Sequence, residues 1–283
     1  MNRSVNKLST QQGVTLVELM ITIALSLSLV LGTSYIYASS RNQQQLMFAT
    51  SATLDNARLG LMNMGNMLKM AGYYDQLLQG NGANRETFYP PMGKTLITTL
   101  PTGSAFLEGQ YVLGEDQDQI FVRVRGYGDA NVTDCSGSHI EKDHMAVMRF
   151  YLKTGNLVCT STIVKVPFGG VLSVDLTKTK EVILLAKVDR MKVRYGVVNG
   201  DNQDLLDAAA VTAAVAWPRV TNISLSLIAL TDTVIMPSDT EYSFNFFGVN
   251  ALLNKDDIPI EKAHAMAFDQ TVYLRNVVAG GGV

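Results

Sequence analysis

The run from Gly13 to Ala38, GVTLVELMITIALSLSLVLGTSYIYA, constrains this chain more than any other stretch, because its one ionisable residue is Glu18. From Leu19 to Ala38 there is neither a charge nor a proline. As a helix rising 1.5 Å per residue, about 20 such residues match a hydrocarbon layer of about 30 Å. The run is therefore long and apolar enough to cross a membrane. Arg3 and Lys7 precede it without an acid, and the next basic residue, Arg41, lies beyond it. That bias in the short flanks leaves the N-terminus cytoplasmic and the bulk of the chain on the far side.

Charged side chains such as Asp, Lys or Arg cost about 2.5–3.5 kcal/mol at the centre of a spanning helix, so an acid in this run is a functional residue by default. A plainer account also stands: in the first turns a carboxylate meets the positive end of the helix dipole, worth about 0.3–1 kcal/mol, close to the interface. Thr15, Thr22, Ser26 and Thr33 fall on one narrow face with Glu18 at 100° per residue. Such a stripe permits close helix approach and interhelical hydrogen bonds, although hydroxyl residues are also simply tolerated in spanning helices.

An ordinary secretory signal has its small residues after the apolar core and is cut there. Here the glycine stands before the core. The segment from Gly13 to Met20, GVTLVELM, resembles the processing site of type IV pilins and related pseudopilins, with glycine last in a basic leader and glutamate fifth in the mature chain. Val14 stands where that family more often has phenylalanine or methionine. The resemblance implies cleavage between Gly13 and Val14 by a membrane prepilin peptidase, N-methylation of Val14, and retention of the helix. It also implies that Glu18 pairs with the new Val14 amine across subunits, neutralising both charges in an apolar filament core and setting axial register.

Beyond Ala38 the helical pattern continues. No proline occurs before Pro90, and Leu46, Ala49, Thr53, Ala57, Leu61, Met64 and Leu68 keep to steps of three and four. Met62, Met64, Met67 and Met70 read as core filler, and Gly72 as a helix stop. The expected order is a leader at 1–13, a transmembrane helix at 14–38, its amphipathic continuation at 39–72 and a β-rich globular domain at 73–283, long enough for one buried core. Residues 75–118, with turn chemistry at Gly80 to Asn84 and Pro90-Pro91 and short apolar pieces such as Thr95 to Leu100, read as a loop region with a strand or two.

Strand-like runs follow at Gln119 to Arg125, Met145 to Lys153, Asn156 to Val166, Glu181 to Ala186 and Val188 to Val198. Others lie at Thr221 to Leu230, Tyr242 to Phe247 and Phe268 to Val277. A hairpin is expected about Thr154-Gly155-Asn156, and a short helix from Asp204 to Ala216, ended by Trp217-Pro218. The pattern predicts an α+β fold, a long N-terminal helix whose second half lies across a mostly antiparallel sheet.

Cys135 and Cys159 are the two cysteines. On the exported side an even pair is most simply one disulfide, with two free buried thiols as the alternative. The segment HIEKDH offers His139, Glu141, Asp143 and His144 to a divalent metal. A structural zinc takes four spaced ligands, however, and a solvated polar loop is the better reading. Cys135 beside His139 lacks the acid and oxyanion element of a thiol nucleophile. The acidic stretches Glu115 to Asp118 and Asn199 to Asp204 lack the glycine and terminal glutamate of a calcium loop. A net charge of −2, made more acidic by loss of Arg3 and Lys7, speaks against nucleic acid. No catalytic residue, metal or cofactor is expected.

YGVVNGD from Tyr195, WPRVTNISLSL from Trp217 and FDQTVYLRN from Phe268 resemble blocks of the PilW-type minor pilins of type IV pili. The later blocks are shared in part with PulJ or GspJ pseudopilins of type II secretion, which are generally shorter. The resemblance implies a structural, non-catalytic subunit that helps prime pilus assembly and sits at or near the tip. Implied partners are other minor pilins of the FimU, PilV, PilX and PilE kinds, the major pilin, prepilin peptidase, the inner-membrane assembly machinery and a large tip adhesin. The implied location is the inner membrane, then the extracellular pilus. The alternatives are a pseudopilin of type II secretion or a bitopic membrane protein with an exported sensor or binding domain.

Overall fold

The computed structural model describes residues 13–72, 106, 110–115, 118–126, 132–141, 144–165, 179–231, 242–253 and 263–275. The expectations placed on the leader up to residue 12, on the turn-rich stretch at 75–105, on Asp143 and on Val277 lie outside the described residues. Contacts divide the chain into two units, 1–48 and 49–283.

Helix α1 runs Leu16–Lys69. In the first unit its aliphatic side chains, among them Leu19, Ile23, Leu27 and Leu31, are exposed, and this part of the helix is long and apolar enough to cross a membrane. In the second unit α1 buries Ala57, Gly60, Leu61, Met64, Gly65 and Leu68. The four side chains in that set lie on the face that the spacing predicted. The two glycines have a different cause, the close approach of strands: a Cβ at Gly60 would sit 2.8 Å from the carbonyl oxygen of Leu184, and one at Gly65 2.9 Å from Nε2 of Gln270. After Lys69 the chain turns, with Gly72 at a φ of 73°, and the Gly72 N–H donates to the carbonyl of Arg123 at 3.0 Å.

Strands β1 (Val112–Glu115), β2 (Gln119–Arg125), β3 (His144–Lys153), β4 (Asn156–Lys165) and β5 (Lys180–Ala186) form an antiparallel five-stranded sheet in sequence order. The others are β6 (Val188–Asn199), β7 (Asn202–Leu206), β8 (Val220–Leu230), β9 (Tyr242–Phe246), β10 (Val249–Leu253) and β11 (Ala265–Tyr273). Four of them make a second antiparallel sheet in the order β11-β8-β6-β7, and β9 pairs with β10. Between β3 and β4 the two-residue loop Thr154-Gly155 has both φ values positive, 46° and 72°. That is the primed turn whose twist matches the strands it joins. The resulting register sets Ile120, Phe150, Cys159 and Val182 across from one another.

Side chains from both sheets and from α1 share one core, including Met64, Leu68, Ile120, Met148, Phe150, Leu225 and Leu227. The fold is therefore a long helix packed through its second half on antiparallel sheets, the α+β class.

The short helix expected from Asp204 is smaller than its alanine content predicts. Gly200, at a φ of 63°, closes a hairpin that sets Asn199 opposite Asn202, and β7 continues to Leu206. Only Ala208–Ala213 is helical, as α2, with Asp207 capping it by accepting from the Ala210 N–H at 2.8 Å. The turn chemistry of Asn199-Gly200-Asp201 overrode helix propensity. Strand β1 falls in the stretch expected to hold a strand or two, and β10 lies outside the expected strands.

Candidate functional site at the start of the N-terminal helix

Gly13, Val14 and Thr15 are exposed and not helical, and α1 begins at Leu16. The start is defined by Thr15 and Glu18. The Thr15 backbone N–H and hydroxyl both donate to Oε2 of Glu18, at 3.1 and 3.0 Å, while the Glu18 N–H lies 3.3 Å from the Thr15 hydroxyl oxygen that accepts it. This is a reciprocal capping box: the N-cap hydroxyl serves the N–H three residues on, and the carboxylate reaches back. The Thr-x-x-Glu spacing carried that signal, and the expectations for Glu18 did not use it. Gly13 has open space where a Cβ would lie, so nothing among the described residues crowds the peptide that precedes the first turn.

The hydroxyl stripe is exposed along the same unit. Thr22 donates to the carbonyl of Leu19 at 2.8 Å, Ser26 to that of Ile23 at 2.9 Å, and Thr33 to those of Leu29 and Val30 at 3.0 Å. Each hydroxyl is thus satisfied within its own helix, which removes the penalty for leaving it bare in an apolar phase.

In the second unit the sulfurs of Cys135 and Cys159 are bonded. Cys135 belongs to a tight loop in which one oxygen of Asp134 accepts from the N–H groups of Ser136 and Ser138 and from the Ser136 hydroxyl. The bridge ties that loop to the buried strand β4. His139 lies in this loop and joins Thr133 through backbone pairing. His144 opens β3, with Nδ1 3.5 Å from Glu141. Among the described residues no three of His, Cys, Asp or Glu gather as metal ligands do.

The remaining polar clusters are built for packing. Arg149 donates from Nε and Nη2 to Gln119, at 3.0 and 2.7 Å, and stacks 4.1 Å from the centre of the Tyr151 ring. Lys153 donates to both oxygens of Glu181, which holds the Glu181 carboxyl below the usual carboxylate range and the Lys153 ammonium above its own. Burial, then the charge of Asp118, pushes the Tyr195 hydroxyl far up. Its ring meets Trp217 edge-on at 4.9 Å. A groove of about 310 Å³ runs between Ala52, Asn56 and Leu59 of α1 and Ile183 of β5 with Lys187 just after it. No pair of groups in it is suited to acid–base or nucleophilic chemistry.

Comparison with known proteins gives a sequence match at the N-terminus and several structural likenesses. Residues 8–34 match the prokaryotic N-terminal methylation motif. The structure is similar to that of the type IV-like pilin TTHA1219 from Thermus thermophilus, with 13% identity, 79% of this chain and 96% of that chain covered, and a TM-score of 0.42. No curated protein matches the chain.

Proposed function

We propose that this chain is a minor pilin, cut between Gly13 and Val14, N-methylated on Val14, and assembled through α1 into the priming or tip complex of a type IV pilus. The observation that carries the reading is the junction at Gly13–Glu18. There an open glycine peptide, a capped helix start and an acid at the head of an exposed apolar helix all fall inside the methylation motif. A plain anchor needs none of these at that spacing.

Cleavage after Gly13 frees an α-amine, which is charged at neutral pH. Thr15 keeps its backbone N–H in the mature chain, so the capping box survives processing. Glu18 enters the membrane with its charge already hydrogen-bonded, and the Val14 amine of a neighbouring subunit is its counter-charge in the filament. In an apolar surround such a pair sets register, because a shift by one residue leaves both charges unpaired. Thr15, Thr22, Ser26 and Thr33 make the face on which helices approach, and the bridge from Cys135 to Cys159 braces the exported domain. The role is assembly with other minor pilins, the major pilin and, at the tip, an adhesin.

Intact mass of the membrane-extracted chain, from cells with and without prepilin peptidase, tests this. A peptidase-dependent loss of residues 1–13, with one added methyl group, is the expected result. An unprocessed mass in both strains overturns it and leaves a conventional anchor. Deletion then separates a pilus subunit from a type II secretion pseudopilin: the first abolishes or thins surface pili, the second blocks secretion alone.

A further inference from the structure

At the far end of the apolar run, Tyr35 and Tyr37 are 78% and 62% exposed. Two residues apart, their rings point about 200° away from each other at nearly one depth along the axis. A partner helix touches one face, so it meets one ring and misses the other. A layer surrounding the helix meets both. Arg41 lies one turn further on, and its Nε donates to the Tyr37 hydroxyl at 3.0 Å while the guanidinium carbon sits 5.5 Å from the ring centre. Helical side chains slant toward the N-terminus, so Arg41 reaches back toward the apolar run. After Ala38 the sequence Ser39 to Gln45, SSRNQQQ, is wholly polar.

We infer that Tyr35, Tyr37 and Arg41 form a headgroup belt that fixes how deep α1 sits in the bilayer, with the Arg41 guanidinium on the phosphate of an outer-leaflet lipid. Aromatic rings with a polar edge settle at the membrane–water interface, and arginine keeps its charge among headgroups while its stem lies on apolar surface. About 30 Å of hydrocarbon is about 20 residues of helix. Counted back from Tyr35 and Tyr37, that span ends at Thr15 to Val17. The belt therefore holds the capping box at the cytoplasmic interface, and the charge of Glu18 is spared the bilayer centre.

This rests on the membrane reading but not on cleavage or filament formation. The test uses the full chain in vesicles of phosphatidylethanolamine and phosphatidylglycerol. Single reporter cysteines at Thr33→Cys, Ser39→Cys or Asn42→Cys are probed with a membrane-impermeant maleimide, the native cysteines being bridged. With the belt intact, Thr33→Cys is protected and Asn42→Cys labels fully. Removing the belt with Tyr35→Ala, Tyr37→Ala and Arg41→Ala moves the labelling edge by about one helical turn. Arg41→Glu moves it in anionic vesicles more than in vesicles of phosphatidylcholine alone. An edge that ignores the triple substitution overturns the belt and leaves the membrane reading intact. Full labelling of Thr33→Cys in the otherwise native chain overturns both. A non-reducing gel showing the native bridge checks that each variant has folded.

Discussion

Thr15 and Glu18 share three hydrogen bonds across a single turn, and this decides how the two residues are separated by mutation. Thr15→Val keeps the shape but removes the N-cap hydroxyl, costing about 0.5–2 kcal/mol at the helix start. Glu18→Gln keeps a hydrogen-bonding group and removes the charge. If the charge acts by pairing with a neighbouring amine, Glu18→Gln leaves leader cleavage intact and reduces the subunit in sheared pili several-fold. Thr15→Val then has the smaller effect on incorporation. Immunoblots of membrane and sheared fractions, beside intact mass, read both. Equal incorporation of Glu18→Gln and the native chain means that the acid serves only as a cap. His264 gives a second residue-scale test. Burial holds its imidazole below the ordinary range, so protons bind the unfolded chain more tightly, with a reference pKa of about 6.5. Its stabilising contribution is complete above that value and is lost as pH falls from it toward the lowered folded value. The urea midpoint of the full chain in detergent is expected to fall between about pH 7.5 and about pH 5.5, and to fall less in His264→Gln.

Helix α1 packs through glycines as well as through its aliphatic face, and the two glycines do not have equal neighbours. At Gly60 an added Cβ meets the backbone oxygen of Leu184 and the Cβ of Leu185, which cannot swing away; at Gly65 it meets the end of the Gln270 side chain, which can. Alanine is favoured over glycine within a helix by about 1 kcal/mol, while overpacking costs about 1–3 kcal/mol. Gly65→Ala is therefore expected to be near neutral or slightly stabilising. Gly60→Ala is expected to lose up to about 2 kcal/mol net, read as a lower melting temperature in detergent. Equal shifts refute the distinction. The aliphatic face of α1 was legible because Ala57, Leu61, Met64 and Leu68 repeat at helical spacing. The glycine contacts were not, because Leu184 and Gln270 lie more than a hundred residues further along the chain. Strands such as β2 and β6 announced themselves by β-branched content. The hairpin of β6 and β7 depended on Gly200, a turn signal that a neighbouring alanine run concealed. At the helix start, Gly13 and Glu18 stood out through their resemblance to a pilin processing site, whereas the box of Thr15 with Glu18 was available in the Thr-x-x-Glu spacing and went unused.

On the proposed function the chain asks opposite things of its two ends: an N-terminus to be cut and built in on one side of a membrane, and a domain to stay folded on the other. The Cys135–Cys159 bridge lies wholly in the second, across a sequence separation of 24. A closed loop of that size stabilises by about 3 kcal/mol in the chain-entropy model. Structurally it fastens the Asp134 loop to β4, inside the five-stranded sheet. The loop's own turn is held by Asp134 and does not need the bridge; its attachment does. Cys159 is fully buried, so serine there would strand a hydroxyl in the core, and the informative variant is Cys135→Ala with Cys159→Ala. Its melting temperature is expected to drop by roughly 6–12 °C for a domain of this size. On the proposed function the cut depends on residues of the other unit, so leader loss by intact mass should be unchanged. The amount of the variant in sheared pili should fall with its stability, and lowering the growth temperature should restore it. A melting shift under about 2 °C would show that the sheet holds the loop without the bridge. Lost processing in the alanine pair would show instead that export or folding of the domain reaches back to the cut site, against the division of labour between the two units.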